Sequence, residues 1–180
     1  EPGFLAGLRE LCDSAGTLLI FDEVMTGFRV ALGGAQERFG VTPDLTALGK
    51  VVAGGTPGAA YGGRTDLMRM IAPDGPVYQA GTLAGNPIVT AAGIATLRRL
   101  AAAPELYARF DEAGAMVKRE LEGAGERAGV PCVVTHVGGM VGFFLGVSDV
   151  RDWESVAQLD QDLFRRFFHA ALDRGVMLPP

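Results

Sequence analysis

The sequence predicts an α/β fold with a largely parallel sheet, followed by a smaller α+β piece. Three observations carry this expectation. Helical and strand-like segments alternate up to Pro104. The strand-like segments are unbroken apolar runs such as Leu18-Leu19-Ile20-Phe21, which suit strands covered on both faces of a parallel sheet. Beyond Pro104 the pattern changes to a long helix, two neighbouring strands and an amphipathic helix, the order of an α+β unit.

From Phe4 to Ala15 the apolar residues fall at 4, 5, 8 and 11, one helical face, and Gly16 stops it. Thr17 to Phe21 reads as a short buried strand that runs into the carboxylate pair Asp22-Glu23. Met25 to Gly40 is glycine-rich without a clear period, mostly loop with a short helix over Gln36 to Phe39. Pro43-Asp44 restarts the chain toward a second buried segment ending at Lys50. Gly54 to Gly63 holds five glycines and a proline and reads as a compact turn region. Thr65-Asp66 looks like the N-cap of a helix through Ile71.

After a loop from Ala72 to Asn86, Pro87 opens a helix that runs to Ala102. Pro104 interrupts it, and a second long helix continues to Arg127, with Gly129 as its stop. The expected domains are therefore residues 1–104 and 105–180. In the second, Cys132 to Val137 and Met140 to Leu145 read as strands joined at Gly138-Gly139. Trp153 to Arg174 reads as one amphipathic helix with Val156, Leu159, Leu163 and Phe167 on one side. Gly175-Val176-Met177 begins to read as another strand, and both chain ends read as cut from something longer.

Composition sets limits on function. The chain is 48% hydrophobic and 21% charged with a net charge of −5, ordinary for a soluble globular protein and no footprint for nucleic acid or an anionic membrane. No apolar run approaches the ~20 residues of a membrane span, and no signal peptide is present. Cys12 and Cys132 lack metal-ligand spacing and make no disulfide framework, so no metal is expected and the cytoplasm is the default compartment. His136 and His169 have no partners at useful spacing. Nucleophile elbow, P-loop and dinucleotide fingerprint are all absent from the sequence.

Only two lysines occur, and Lys50 lies between Leu45-Thr46-Ala47-Leu48-Gly49 and Val51-Val52-Ala53-Gly54-Gly55. A lysine in apolar surroundings loses solvation for its ammonium and becomes a better amine nucleophile. Asp22 and Glu23 close an apolar run, and ligands of open α/β sheets bind at the carboxyl ends of strands. A carboxylate there can hold a proton on a ring nitrogen, so the pair of features points to Schiff-base chemistry on an aldehyde cofactor. Plain alternatives stay open on these residues alone. Lys50 could snorkel with its head in water, Asp22 and Glu23 could cap a strand, and Gly81-Thr82 could be an ordinary turn. Lys118, in Val117-Lys118-Arg119-Glu120, reads as part of a solvated helix face.

Taken with their spacing, Asp22 to Gln36 (DEVMTGFRVALGGAQ), Leu48-Gly49-Lys50, Gly62-Gly63-Arg64 after Tyr61, and Pro76 to Pro87 (PVYQAGTLAGNP) resemble the class III aminotransferases. Those are fold-type I enzymes dependent on pyridoxal 5′-phosphate. Within the class the wording is closest to the aminomutase branch. Other members usually read Gln where this chain has Met25, and a His-Gly-Ser/Thr-Thr-Phe type run where it has Tyr78 to Thr82. The resemblance implies that residues 1–104 are the C-terminal part of the large, mostly parallel-sheet cofactor domain, and 105–180 part of the small C-terminal domain.

By the same resemblance, Lys50 forms the Schiff base and shuttles the proton, Asp22 pairs with the pyridine nitrogen, and Val24 packs on the ring. Gly81 and Thr82 hold the cofactor phosphate of the other subunit in a homodimer. No role for Glu23 follows beyond support of its neighbours. The implied reaction converts the small amino-aldehyde glutamate 1-semialdehyde to 5-aminolevulinate by intramolecular amino exchange, through the pyridoxamine 5′-phosphate form, in tetrapyrrole biosynthesis. An ω-amino acid:2-oxo acid aminotransferase and an inactive folding or dimerisation module are the alternatives. The family's own-subunit phosphate loop, ring-stacking aromatic residue and gating loop have no counterpart here. A chain with this content alone is expected to bind cofactor weakly and not to turn over.

Overall fold

A computed structural model describes residues 2–179. They divide into two compact units, Glu1–Arg109 and Phe110–Pro180. The expected boundary at Pro104 falls in the connector before the helix that spans the division.

In the first unit, helix α1 (Phe4–Ala15) ends at Gly16, whose left-handed backbone returns its N–H to the carbonyls of Cys12 and Asp13. Strands β1 (Ile20–Glu23), β2 (Leu45–Leu48) and β3 (Ala60–Gly63) form one sheet in that order. β1 and β2 are parallel, while β2 and β3 are antiparallel. The sheet is therefore mixed.

Three expectations are corrected here. β1 begins three residues later than expected and takes in Asp22 and Glu23, because Leu19 uses its N–H and C=O on Asp44 rather than on a strand ladder. The turn region 54–63 contains β3, hidden by the sequence Ala-Tyr-Gly-Gly, which has little strand propensity of its own and is held by pairing to β2. The strands are not covered on both faces either. Strand alternation puts Ile20, Asp22, Ala47 and Tyr61 on one side, where Ile20 is 58% and Tyr61 46% exposed. Phe21, Glu23, Thr46 and Leu48 share the other, and Glu23 there is 1% exposed.

Between β1 and β2 lies helix α2 (Gly34–Phe39). Helix α3 (Thr65–Met68) starts as expected but stops short of Ile71, with Arg64 rather than Thr65 at its N-cap. Beyond it the chain turns so that Ile71 bridges Val77. Helix α4 (Pro87–Ala101) is set by Pro87 at its first position and by the Asn86 side chain, which accepts N–H bonds from Ile88 at 3.0 Å and Val89 at 3.3 Å. Leu19, Val30, Val41 and Ala53 are the buried apolar residues of this unit.

Helix α5 (Glu105–Ala128) spans the division between the units. In the second unit, β4 (Cys132–Val137) and β5 (Met140–Leu145) form the expected antiparallel hairpin. Lys118 is not a plain solvated residue. Its Nζ donates to the Val134 carbonyl at 2.7 Å and pairs with Glu122 at 3.3 Å, while Glu122 accepts the Val134 N–H at 3.2 Å. Two α5 side chains thus satisfy an edge-strand peptide that the hairpin leaves open, and Val134 is fully buried.

The expected single helix over 153–174 is two, α6 (Trp153–Val156) and α7 (Gln161–Leu172). Asp152 and Asp160 each accept an N–H three residues on, from Ser155 and Leu163, so the chain carries two start signals and two helices. Phe143 packs on Phe164 and Phe167, with ring centroids 6.1 and 5.4 Å apart. Gly175-Val176-Met177 forms no strand, because the N–H groups of Gly175 and Val176 bond back to the last α7 carbonyls.

Candidate active site

The parallel pairing of β1 and β2 brings their carboxyl ends side by side, Asp22 opposite Ala47 and Glu23 opposite Leu48. The chain leaves β1 at Val24 and β2 at Gly49, and the two exits touch: a Cβ on Gly49 would lie 3.1 Å from a Val24 methyl. Lys50 follows with φ 49°, a left-handed conformation that costs a residue bearing a Cβ about 1 kcal/mol or more. That conformation turns the chain out of the strand and into a single 3-10 turn, Lys50–Ala53.

Helix α4 braces this turn. Gly54 closes it at φ 62°, where a Cβ would lie 2.6 Å from Thr96 Oγ1 and 2.7 Å from the Ala92 carbonyl. From the other side, a Cβ on Gly93 would lie 2.5 Å from the Val52 carbonyl. The glycines after Lys50 are thus a condition for its placement, since only bare backbone fits between turn and helix.

Lys50 is exposed among the described residues, where its apolar sequence neighbours suggested a desolvated amine. Ala53 is buried beneath the turn and Leu48 is half-buried in the sheet, while the left-handed turn carries Lys50 outward. Its side chain lines a cleft of about 790 Å³ together with Arg29, Val51, Thr56, Pro57 and Thr96. Asp22 is exposed on the adjoining strand end, and its Oδ1 accepts the Val24 N–H at 3.0 Å. Lys50, Asp22 and Val24 are therefore grouped at the exits of two neighbouring strands.

Gly81 and Thr82 are not in that group. They open an exposed turn in which Ala84 N–H bonds to the Gly81 carbonyl at 3.0 Å. Gly81 lines a separate cleft of about 460 Å³, and Pro57, Gly58 and Ala59 form walls of both clefts.

The largest gap in the sequence reading is Glu23. Its Oε2 accepts from Thr26 Oγ1 at 2.9 Å and Ala35 N at 2.7 Å, and its Oε1 from Gln36 N at 3.2 Å and Gln36 Nε2 at 3.1 Å. Gln36 Nε2 also reaches Thr46 Oγ1 on β2 at 2.9 Å. The sequence signal was the Gly33-Gly34 pair: Gly34 has φ 70°, and any Cβ there would collide with the Glu23 carboxylate.

No cluster of His, Cys, Asp and Glu able to hold a metal occurs among the described residues. Nor is any helix among them long and apolar enough to cross a membrane.

A mixed α/β sheet with a lysine and a carboxylate at adjoining strand exits fits the transaminases, and comparison with known proteins shows the family. The family model for class-III aminotransferases matches residues 1–180, and the chain belongs to that family. Among curated relatives it is similar to glutamate-1-semialdehyde 2,1-aminomutase of Gemmatimonas aurantiaca, 57% identical over 99% of this chain. The enzyme of the same name from Roseiflexus castenholzii is 54% identical over 100% of it. The chain spans 41% of the length of each.

Solved structures agree. An omega-transaminase from Sphaerobacter thermophilus superposes with a TM-score of 0.86 at 34% identity, over 99% of this chain and 41% of that one. A glutamate-1-semialdehyde-aminomutase from Pseudomonas aeruginosa in complex with PMP gives 0.85 at 28% identity, over 100% and 42%. The fold is accordingly part of the α/β architecture of fold-type I transferases.

Proposed function

We propose that this chain carries the chemical centre of a pyridoxal-phosphate-dependent aminomutase that converts glutamate 1-semialdehyde to 5-aminolevulinate in tetrapyrrole biosynthesis. The observation that carries this reading is the 57% identity, over 99% of the chain, to a relative of that name. The strand-exit geometry supports the cofactor, because an exposed amine follows one strand and an exposed carboxylate closes its parallel neighbour.

When bound, pyridoxal 5′-phosphate supplies an aldehyde that captures amines and a ring that takes up the electron pair left by C–H cleavage. Lys50 would hold the group through its aldehyde, and its amine, when free, would carry a proton at the site. Asp22 holds the proton on the ring nitrogen, so that the ring is cationic when it accepts charge. Val24, seated on Gly49, would offer an apolar surface to the ring. Gly81 and Thr82, which lie outside the Lys50 cleft of their own chain, bind the phosphate of a second subunit's cofactor. The functional unit is then a homodimer acting in the cytoplasm.

The experiment is to mix the protein with pyridoxal phosphate, reduce with borohydride and map the modified residue. The label is expected on Lys50 and absent from Lys50→Ala, while a label on Lys118 would refute the assignment. A second reading, an ω-amino acid:2-oxo acid aminotransferase, draws on the omega-transaminase likeness. In a chain of the relatives' full length carrying this sequence, glutamate 1-semialdehyde supplied without an amino donor separates the two, since only the mutase forms 5-aminolevulinate at a sustained rate.

A further inference from the structure

Glu23 stands next to Asp22 in sequence but points to the opposite face of β1, so it cannot share the exposed site directly. It is nonetheless among the largest fully buried side chains in the chain, at 1% exposure. A buried carboxylate without hydrogen bonds is strongly disfavoured, and here both oxygens accept two each. The donors come from three places: Thr26 in the loop after β1, the first turn of α2, and the Gln36 side chain, which is itself bonded to Thr46 on β2.

These bonds form one assembly behind the two strand exits. Thr46 is four residues before Lys50, and Glu23 is one residue after Asp22. The loop from Val24 to Gly33 returns to the same carboxylate through Gly34, whose left-handed backbone leaves no room for a Cβ. That loop carries Val24, which seats on Gly49, and Arg29, which lines the Lys50 cleft. Tyr107 Oη donates to the Phe28 carbonyl at 3.1 Å and Arg38 Nη1 to the Val30 carbonyl at 3.3 Å, so the loop is pinned along its length.

We infer that Glu23 is a positioning residue: through Gln36, Thr46 and the α2 N-terminus it locks the exits of β1 and β2 in register and so sets where Lys50 stands relative to Asp22 and Val24. The inference rests on the cofactor reading above. Reacting groups displaced by about 1 Å lose up to ~100-fold in rate, and Glu23 is the shared anchor of both exits.

The test compares unaltered protein, Glu23→Gln and Asp44→Asn, with Gln36→Leu as the milder variant should Glu23→Gln fail to fold. Asp44 is the other buried carboxylate, at the opposite end of the sheet. Its loss destabilises the fold without touching the strand exits. The readout is the rate constant for borohydride-trapped labelling of Lys50 at saturating pyridoxal phosphate, at a temperature where circular dichroism shows each protein folded.

Glu23→Gln is expected to slow labelling ~10-fold and Gln36→Leu ~3-fold. Asp44→Asn should lower the unfolding midpoint and leave the rate unchanged. Labelling of Glu23→Gln at the unaltered rate, or equal slowing by Asp44→Asn, overturns the positioning role and leaves the cofactor reading standing. No label on Lys50 in the unaltered protein overturns that reading and the inference with it.

Discussion

The sheet of the first unit has a buried carboxylate at each end, and the two are held by opposite means. Asp44, before β2, takes charged partners: Arg9 at 2.8 Å and Arg64 at 2.9 Å, with the Leu19 N–H at 2.8 Å. The Leu19 amide first, then Arg64 and Arg9, pull its carboxyl well below the usual carboxylate range. Glu23, at the end of β1, is held by two backbone amides, a hydroxyl and a carboxamide. The Asp44 end ties three chain segments together by charge and faces no cleft that holds Lys50. At the Glu23 end, neutral donors build a framework behind the exits of β1 and β2 that lead to Asp22 and Lys50.

The contrast is sharpest in acid. Because the folded-state pKa of Asp44 lies below its unfolded value, its stabilisation is complete above the usual carboxylate range, begins to fade as pH enters that range and is gone only once pH falls through the lower folded value. Acid titration by circular dichroism should show the fold weakening below about pH 5. Asp44→Asn should start from a lower stability at neutral pH and flatten that limb; an unchanged acid slope would place the pH dependence elsewhere.

At neutral pH, Glu23→Ala leaves four donors facing a cavity and should cost on the order of 3 kcal/mol in urea unfolding. Gly34→Ala puts a methyl group against the same carboxylate at φ 70°, with an expected loss of about 2 kcal/mol. It should also raise proteolysis within 24–33, where a cut elsewhere would contradict the loop's dependence on Glu23. Tyr107→Phe removes the hydroxyl donor to Phe28 and should cost about 1 kcal/mol. A change of similar size at Asp44 from this substitution would show that the two ends are not independent.

Much of this was legible before any coordinates. Pro87 with Asn86, Gly129, and the Gly138-Gly139 hairpin are local signals whose physics acts within a few residues, and α4, α5, β4 and β5 follow them closely. Two departures depend on distant partners: β3 exists because β2 pairs with it, and Lys118 is held by a peptide sixteen residues away. The start of α7 is a local cap at Asp160, masked by an apolar period that continues across it.

The site divides along the same line. The sequence grouped Lys50, Asp22 and Val24 with Gly81 and Thr82 through the motifs of the family it resembles. Only tertiary structure decided that Lys50 stands exposed on a left-handed turn braced by α4. It also decided that Gly81 lies outside the Lys50 cleft and that Glu23 is buried and linked through Gln36 to Thr46. The physical reason is that strand pairing, close backbone approach and burial are relations between segments far apart in the chain.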